Sequence, residues 1–308
     1  MRGFSPTLIL TKQIHSLYRA ELEQVCAHPR FIEAVRDHAR LNRNVLSDEK
    51  DPYFAKYIGD LGNLLIESAA LYFHLLKTHE NFGAGATLGK IQLVAFAHGF
   101  ASPRRVTMYV KRMVQIERLS YSDDAADKRV RRLIPGNSLI LTARKHIAGL
   151  LNAVDHIWPG SNYAKRTIED REFFYEMFLQ TGYLYLQGCD PLRPFSDVRH
   201  FTSKDAGTFI LSHLAFACLE GETGLRADKI FSISYSEIAQ SAGVSRTHVR
   251  NVFEAAEARG LITGLGDGGR SMRLTDQMIK SYSHYYACLL ILARTAAALT
   301  SEKQAARK

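Results

Sequence analysis

The feature that most constrains the fold of this chain is an order of sequence patterns that occurs twice. Each half contains a helical stretch, an Asp-Pro loop, an apolar helix, a helix-turn-helix pattern, a strand pair and a final helix, at offsets of 139 to 145 residues. The segments 60–66 and 205–211 match most clearly, and the Asp-Pro pairs are Asp51-Pro52 and Asp190-Pro191. A fixed order repeated in this way indicates two copies of one supersecondary unit. The alternative is that two α-rich halves resemble each other by chance.

The clearer helix-turn-helix pattern is in the second half, at residues 233–262. A short helix begins near Glu237, Gly243 permits the tight turn, and Ser245 is a good N-cap for the second helix. Apolar residues recur along that helix at the spacing of one buried face, and Gly260 ends it. The segments 261–262 and 270–274 predict a two-stranded hairpin with a glycine-rich tip. The side chains that we expect to point outward are Ser245, Arg246, Thr247, Arg250, Asn251, Arg270 and Arg273.

A less regular copy of this pattern lies at residues 90–133. Its first helix covers 90–100, Ser102 is the N-cap of the second, and Pro103 fits the first helical position. Strands at 119–121 and 127–133 predict a second hairpin. Residues 101–132 contain nine basic and four acidic side chains, a net charge of +5, within a chain of net charge +9. The outward residues of this copy are Arg104, Arg105, Thr107, Met108, Lys111, Arg112, Lys128, Arg129 and Arg131.

A helix-turn-helix followed by a basic hairpin is typical of a winged helix, whose second helix fits the major groove of DNA. We therefore predict binding of double-stranded DNA. Arginines and lysines of both second helices would contact phosphates or guanine edges, Asn251 could pair with adenine, and Thr107 and Met108 would read bases. Arg129 and Arg270 would reach flanking minor grooves or the backbone. Because the two surfaces differ in sequence, an asymmetric DNA site is expected.

The segment 127–133 resembles the wing of the MarR family of bacterial transcription regulators, which often carries an Asp-x-Arg pair, here Asp127 and Arg129. The resemblance implies that Arg129 enters the minor groove. The second half has no such pair, and Phe100-Ala-Ser-Pro103 replaces the usual Gly-Val-Ser turn in the first half. Regulators of this family work as homodimers, so the resemblance implies a fused dimer in one chain.

The predicted fold class is therefore mainly α, with two winged helix-turn-helix units packed through long helices as a pseudo-dimer. The boundary between the halves is expected near residues 159 and 160. Helices at 140–157 and from Asp276 to about Leu299 would pair with an N-terminal helix near residues 8–27, because all three carry apolar residues at helical spacing. The chain would act as a monomeric pseudo-dimer or as a homodimer.

Several classes of function are disfavoured by the sequence. We expect no membrane span, no signal peptide and a cytoplasmic location, because no long apolar run occurs. The four cysteines are scattered, so they are expected to be buried reduced thiols, with a redox sensor as the alternative. No phosphate-binding glycine loop or histidine metal pair is found, so we predict neither enzyme activity nor a cofactor or metal.

Two alternative functions, and two interpretations of one aromatic stretch, are compatible with the sequence. A plasmid-type replication initiator also carries tandem winged helices, and a winged-helix scaffold would bind protein instead of DNA. The aromatic stretch 173–186 favours packing between the halves, while a small-molecule effector site between helices is its alternative interpretation.

Overall fold

The computed structural model describes residues 20–47, 59–123, 130–221, 224–266 and 271–307. It is mainly helical, with two antiparallel sheets of two strands each. Residues 20–26 are helical. The elements of the first half follow in the order α1 (Phe31–Ser47), α2 (Leu61–Thr78), α3 (Leu88–Ala97), α4 (Pro103–Gln115), β1 (Leu119–Asp123), β2 (Arg131–Pro135) and α5 (Asn137–Ile157).

The second half repeats this order, and its first short helix corresponds to the helical residues 20–26 of the first half. Its elements are α6 (Tyr163–Glu169), α7 (Arg171–Leu186), α8 (Ser196–Thr202), α9 (Gly207–Leu219), α10 (Tyr235–Ala242), α11 (Arg246–Ala258), β3 (Ile262–Gly266), β4 (Ser271–Leu274) and α12 (Asp276–Ala306). We call α2–α5 the N-terminal helix–hairpin unit and α9–α12 the C-terminal helix–hairpin unit.

The two hairpins are built in the same way. Leu119 lies opposite Pro135 in the first, and Ile262 lies opposite Leu274 in the second, which has a register shift between Thr263 and Gly266. We call the two helices α3 and α4, and likewise α10 and α11, the helical corner of their unit. In each unit the second strand also forms an isolated antiparallel bridge with the segment that precedes the first helix of this corner. These bridges join Thr87 to Arg132 and Phe231 to Met272. The hairpin is thereby fixed to the helical corner in both halves.

Two of the long helices pack against elements of both halves. Helix α1 packs against α5 of its own half and against α9 of the other, while α7 packs against α12 of its own half and against α2 of the other. Helices α5 and α12 also contact each other. The segment 20–26 joins this arrangement, because the Cys26 thiol donates to the Ser283 carbonyl at 3.6 Å and Glu23 lies 3.7 Å from His284. Part of the predicted N-terminal helix, residues 8–19, lies outside the described residues.

The crossing of α7 and α2 depends on the absence of a side chain at Gly182. A Cβ atom there would lie 2.4 Å from Cδ2 of the Tyr72 ring, and a ring cannot fold out of the way as a flexible chain can. We expect Gly182→Ala to lower the free energy of unfolding by about 1–3 kcal/mol through overpacking. Gly89→Ala in α3 is the matched control, since nothing lies within 4 Å of its added Cβ. Helix propensity alone should stabilise that variant by about 0.5–1 kcal/mol. Urea unfolding of both variants measures the change in the free energy of unfolding. Equal changes in the two variants would contradict the prediction.

Three expectations about local structure need correction. Helix α5 begins at Asn137 and not at residue 140, because Gly136 has the extended backbone of a helix N-cap and Leu139 is already buried. The returning strand of the first hairpin is Arg131–Pro135, so it begins later than residue 127. Cys189 is exposed and not buried, because it follows Gly188 in the loop after α7, whereas Cys218 and Cys288 are buried and Cys26 is half-buried. None of the helices in the described ranges has the length and apolar character needed to cross a membrane.

Candidate nucleic-acid interface

The corner between α3 and α4 is fixed by side-chain caps at the start of both helices. Thr87 accepts a hydrogen bond from the Lys90 amide, and Ser102 accepts one from the Arg105 amide. Gly99 takes the positive φ of +69° that the turn requires. The second helix is then held by its buried face, whose members are Val106, Tyr109, Val110 and Met113. The outer face of α4 is consequently presented to solvent in a defined orientation.

The corner between α10 and α11 uses the same devices. Ser234 accepts from the Glu237 amide, Ser245 accepts from the His248 amide at 3.0 Å, and Gly243 ends α10 with a φ of +63°. The Tyr235 and Phe253 rings stack with centroids 5.3 Å apart. The buried residues of α11 are Val249, Val252, Phe253 and Ala256, as the helical spacing predicts.

The exposed faces of α4 and α11 occupy corresponding positions but differ in chemistry. The two faces can be compared when the N-caps Ser102 and Ser245 are aligned. Three exposed positions of α4 then correspond to three exposed positions of α11: Arg104 to Thr247, Met108 to Asn251 and Lys111 to Glu254. Arg250 is exposed and lies 3.5 Å from Glu254. Ser245 and Arg246 are exposed as well. The face of α4 is therefore basic with one apolar side chain, whereas the charges on the face of α11 largely balance.

Arg105 is held at the base of α4 and not at its outer face. Its guanidinium donates to the buried carboxylate of Asp60 and to Asn63 Oδ1 at 3.1 and 3.3 Å, so α4 is tied to the start of α2. The corresponding residue of the second half, His248, donates through Nε2 to the Asp205 carbonyl at 2.9 Å. Sequence reasoning placed Arg105 among the DNA contacts and did not recognise Asp60 as its partner. The shared position of Asp60 and Asp205 in the repeat was the available signal.

Two other predicted contacts on α4 are partly enclosed. The Thr107 hydroxyl donates to the Pro103 carbonyl at 3.0 Å and accepts from Gln92 Nε2 at 2.9 Å, so it helps to join α3 to α4. Arg112 is half-buried. The side chains of α4 that remain most available to a ligand are therefore Arg104, Met108 and Lys111, and Met108 is 61% exposed.

Two of the predicted hairpin arginines lie on described strands. Arg131 is exposed on β2, and its guanidinium lies 4.2 Å from the centroid of the Tyr121 ring on the paired strand. Arg273 is exposed on β4. The tips of both hairpins, with Lys128, Arg129 and Arg270, lie outside the described residues.

Within the described part of the chain, two groups of histidine and carboxylate side chains bring their ligand atoms within 4.8 Å of one another, as a metal site would require. One joins Glu33 and Asp37 of α1 to His156 of α5, and the other joins His79, Glu80 and Glu176. In the second group Lys303 lies 2.7 Å from Glu176 and 2.9 Å from Glu80, and Arg307 contacts the same two carboxylates. That group is therefore neutralised by Lys303 of α12 and by Arg307 at its C-cap, and it fastens the C-terminal helix to the end of α2 and to α7.

Comparisons of the chain with protein-family models, with curated proteins and with solved structures found no match.

Proposed function

We propose that this chain is a transcription regulator that binds double-stranded DNA through two non-identical winged helices, in a MarR-like tandem arrangement. The observation that carries the proposal is the repetition of one corner. Two helices, the second N-capped by serine, are followed twice by a hairpin and present an exposed helix face. A helix presented in this way fits the major groove, and the adjoining hairpin can reach the backbone or minor groove.

The packing of long helices against both halves supports a pseudo-dimeric arrangement of the two units. Helix α1 contacts α9, and its counterpart α7 contacts α2, so the contacts between halves are reciprocal. Reciprocal contacts of this kind are what an isologous twofold interface requires. Two recognition helices held by such an interface would enter successive major grooves about 34 Å apart.

The chemical difference between the faces suggests that α4 and α11 make different kinds of contact with DNA. The face of α4, with Arg104 and Lys111, would supply phosphate contacts, and Met108 would contact a thymine methyl group. The face of α11 would supply base contacts through Arg250 and Asn251. The DNA site should therefore be asymmetric.

The decisive experiment is selection of bound fragments from random and genomic DNA, followed by footprinting. One chain should protect two unlike half-sites spaced by about one helical turn. Protection of a perfect palindrome by two whole chains would contradict the asymmetric site. Absence of any sequence-dependent binding would contradict the proposed function.

Removing Lys111 tests the phosphate role of α4. We expect Lys111→Ala to weaken binding to all sequences alike and to reduce the slope of log K against log salt concentration by about one. Lys165→Ala in α6 is the matched control and should leave the slope unchanged. The Lys165 side chain is 71% exposed. Fluorescence anisotropy at several salt concentrations measures both slopes.

Removing Arg250 tests the reading role of α11. We expect Arg250→Ala to cost about 1–3 kcal/mol of binding free energy on the selected site and much less on random DNA. Arg250 must leave Glu254, which lies 3.5 Å away, to reach a base. Glu254→Gln should therefore bind DNA at least as tightly as the unmodified protein. Equal losses on selected and random DNA would remove Arg250 from the set of base contacts.

One observation favours a second candidate function, that of a winged-helix scaffold that binds protein. Leu93 and Phe96 lie one turn apart on α3 and are 69% and 71% exposed. Exposed apolar side chains grouped on one helix face are typical of protein interfaces. Weak DNA binding with little dependence on salt would favour this scaffold over the regulator.

A further inference from the structure

The two helix–hairpin units touch each other where their first helices begin. The Thr208 amide, in the first turn of α9, donates to the Gly59 carbonyl, just before α2, at 2.7 Å. Both residues lie in or next to the segment of the repeat that matches most clearly between the halves. We call residues 59–63 and 205–208 the junction. A main-chain hydrogen bond therefore joins the halves near corresponding points of the repeat.

The backbone of the junction is tightly packed. Gly62 and Gly207 hold the same position in the repeat, and neither could carry a side chain without a shift of its surroundings. A Cβ atom would lie 2.6 Å from the Phe100 carbonyl oxygen at Gly62 and 1.8 Å from the Phe201 carbonyl oxygen at Gly207. Ala206 is fully buried and has a φ of +53°, a strained conformation for a residue other than glycine. Such strain persists only where the surroundings hold the backbone in place, so the junction is a rigid part of the fold.

Each side of the junction holds the start of one exposed helix. The Asp60 carboxylate accepts from the guanidinium of Arg105, the third residue of α4. On the other side the Asp205 carbonyl accepts from Nε2 of His248, the third residue of α11, at 2.9 Å. Asp60 and Asp205 hold the same position in the repeat, and Arg105 and His248 hold the same position after their N-caps. Hydrogen bonds and the adjoining main chain therefore lead from α4 through the junction to α11.

The bond between Arg105 and Asp60 is well suited to orient α4. The Asp60 side chain is only 3% exposed, and the guanidinium also donates to Asn63 Oδ1. A guanidinium that donates to several fixed acceptors has a defined orientation, and a buried carboxylate that loses its cation is strongly destabilising. We therefore expect Arg105 to remain on Asp60 when DNA binds, so that it positions α4 without contacting a phosphate.

We propose that the junction fixes the separation between α4 and α11, and thereby the spacing of the two half-sites that the chain accepts. Asp60, Arg105 and His248 are positioning residues, because they act on DNA only through these helices. The inference rests on the proposed function. Each base pair inserted between the half-sites moves one of them by roughly 3.4 Å and rotates it about the DNA axis, so two helices on a rigid frame cannot follow both. A frame loosened at the junction tolerates the insertion.

Binding to DNA of altered spacing tests the proposal. One or two base pairs are inserted between the half-sites selected for the unmodified chain, and affinities are measured by fluorescence anisotropy. We expect the insertion to weaken binding of the unmodified chain by about tenfold or more. In Arg105→Met and in His248→Ala the same insertion should weaken binding by about threefold or less, although both variants bind the original site more weakly. His248→Gln retains an N–H donor and should restore much of the discrimination between spacings.

A matched control separates positioning from other roles. Arg104→Met removes the neighbouring arginine of α4, which is exposed, and should weaken binding to every spacing by the same factor. A uniform loss of this kind in Arg105→Met and His248→Ala would show that these residues contact DNA or only stabilise the fold, and it would overturn the proposal. Circular dichroism checks folding, and His248→Ala, at a half-buried side chain, carries the test if Arg105→Met does not fold.

Hydrogen exchange of the free chain tests the link between the helices without DNA. Arg105→Met should accelerate exchange of the Thr208 amide and of the first turn of α11 by about threefold or more, and His248→Ala should do the same to Thr208 and the first turn of α4. Arg104→Met should leave these amides unchanged. Unchanged exchange at Thr208 and at the opposite helix in both tie variants would overturn the proposal. If exchange changes as expected but the unmodified chain binds no DNA, the proposed function is contradicted and the link between α4 and α11 stands.

Discussion

Replacing Glu67 with glutamine should lower the free energy of unfolding by about 3–5 kcal/mol, because it leaves a buried charge without its partner. Glu67 and Arg118 are both almost fully buried, and the guanidinium donates to the two carboxylate oxygens at 3.0 and 2.9 Å. The Tyr109 hydroxyl donates to the same carboxylate at 3.1 Å. Burial, together with the Glu67 charge, raises the pKa of Tyr109 well above its usual value, so the hydroxyl stays protonated as a donor.

Urea unfolding of paired variants measures this effect. Arg118→Met alone should be as destabilising as Glu67→Gln. The double variant Glu67→Leu/Arg118→Met should recover much of the loss, since it removes both charges. Arg226→Gln is the control at the surface. Arg226 and Asp228 are paired at 2.6 Å but are 60% and 69% exposed, so its effect should be below about 1 kcal/mol. Equal costs for the buried and the exposed pair would contradict the prediction.

This buried cluster also distinguishes the two helix–hairpin units. Glu67 belongs to α2, Tyr109 to α4, and Arg118 immediately precedes β1, so one carboxylate joins three elements of the proposed DNA-binding unit. The corresponding residues of the second half are Ser212, Val252 and Leu261, and all three are buried. At the same place the second unit has two apolar side chains and a serine whose hydroxyl donates to the Thr208 carbonyl within α9. Glu67→Gln should therefore loosen the N-terminal unit first, which hydrogen exchange of α4 and α11 amides would show.

The elements that the sequence predicted well are those specified by neighbouring residues. Ser102 and Ser245 are N-caps, and Gly243 has a positive φ, because capping and turn geometry depend on a few adjacent residues. The Tyr109–Glu67–Arg118 cluster and the tie between Arg105 and Asp60 could not be predicted in this way. Their partners are 42 to 51 residues apart, and the helical spacing of Arg105 resembles that of a solvent-exposed residue.

The predicted packing of the aromatic stretch 173–186 between the halves is confirmed, because α7 contacts both α12 and α2. The contact of α1 with α9 was beyond the sequence patterns. The apolar face of α1 shows that this helix is buried but does not indicate against which neighbour, and its order along the chain favours packing within the same half. The observed contact of α1 with α9 follows from three-dimensional closure of the core, which amphipathic spacing alone does not encode.

Acidification should destabilise the fold well above the pH at which carboxylates titrate, because several histidines are buried in neutral form. Burial lowers the pKa of His38 to about 3, and it lowers the pKa of His213 to about 4, with a further contribution from the Arg43 charge. Burial also lowers the pKa of His146. In the unfolded chain these groups bind protons near pH 6.5, whereas in the folded protein they do not. Stability is therefore fully present above pH 6.5 and decreases as the pH falls toward the folded-state values.

The expected size of this effect follows from proton linkage. Each histidine that remains neutral in the fold costs about 1.4 kcal/mol per pH unit well below pH 6.5 and about half of that at pH 6.5, so His38 alone removes roughly 2 kcal/mol between pH 6.5 and pH 4.5. Urea unfolding at several pH values measures the slope. His38→Leu should reduce the slope by about one proton and leave stability at pH 7 equal or higher, since it also removes an Nε2 atom that has no partner. His98→Leu, at an exposed position of the turn after α3, is the control.

The position of His38 determines where acid should act first. Its ring lies 6.0 Å from the His146 ring of α5 and 5.3 Å from the Tyr286 ring of α12, and Tyr286 donates to the Ala34 carbonyl of α1. Protonation of either histidine would place a charge at the junction of the helices that hold the halves together. Loss of protection in α1, α5 and α12 should therefore precede loss in α10 and α11 when hydrogen exchange is followed from pH 7 to pH 5, after correction for intrinsic rates. If instead α11 opens first, or if His38→Leu leaves the pH dependence unchanged, acid sensitivity does not originate at this junction.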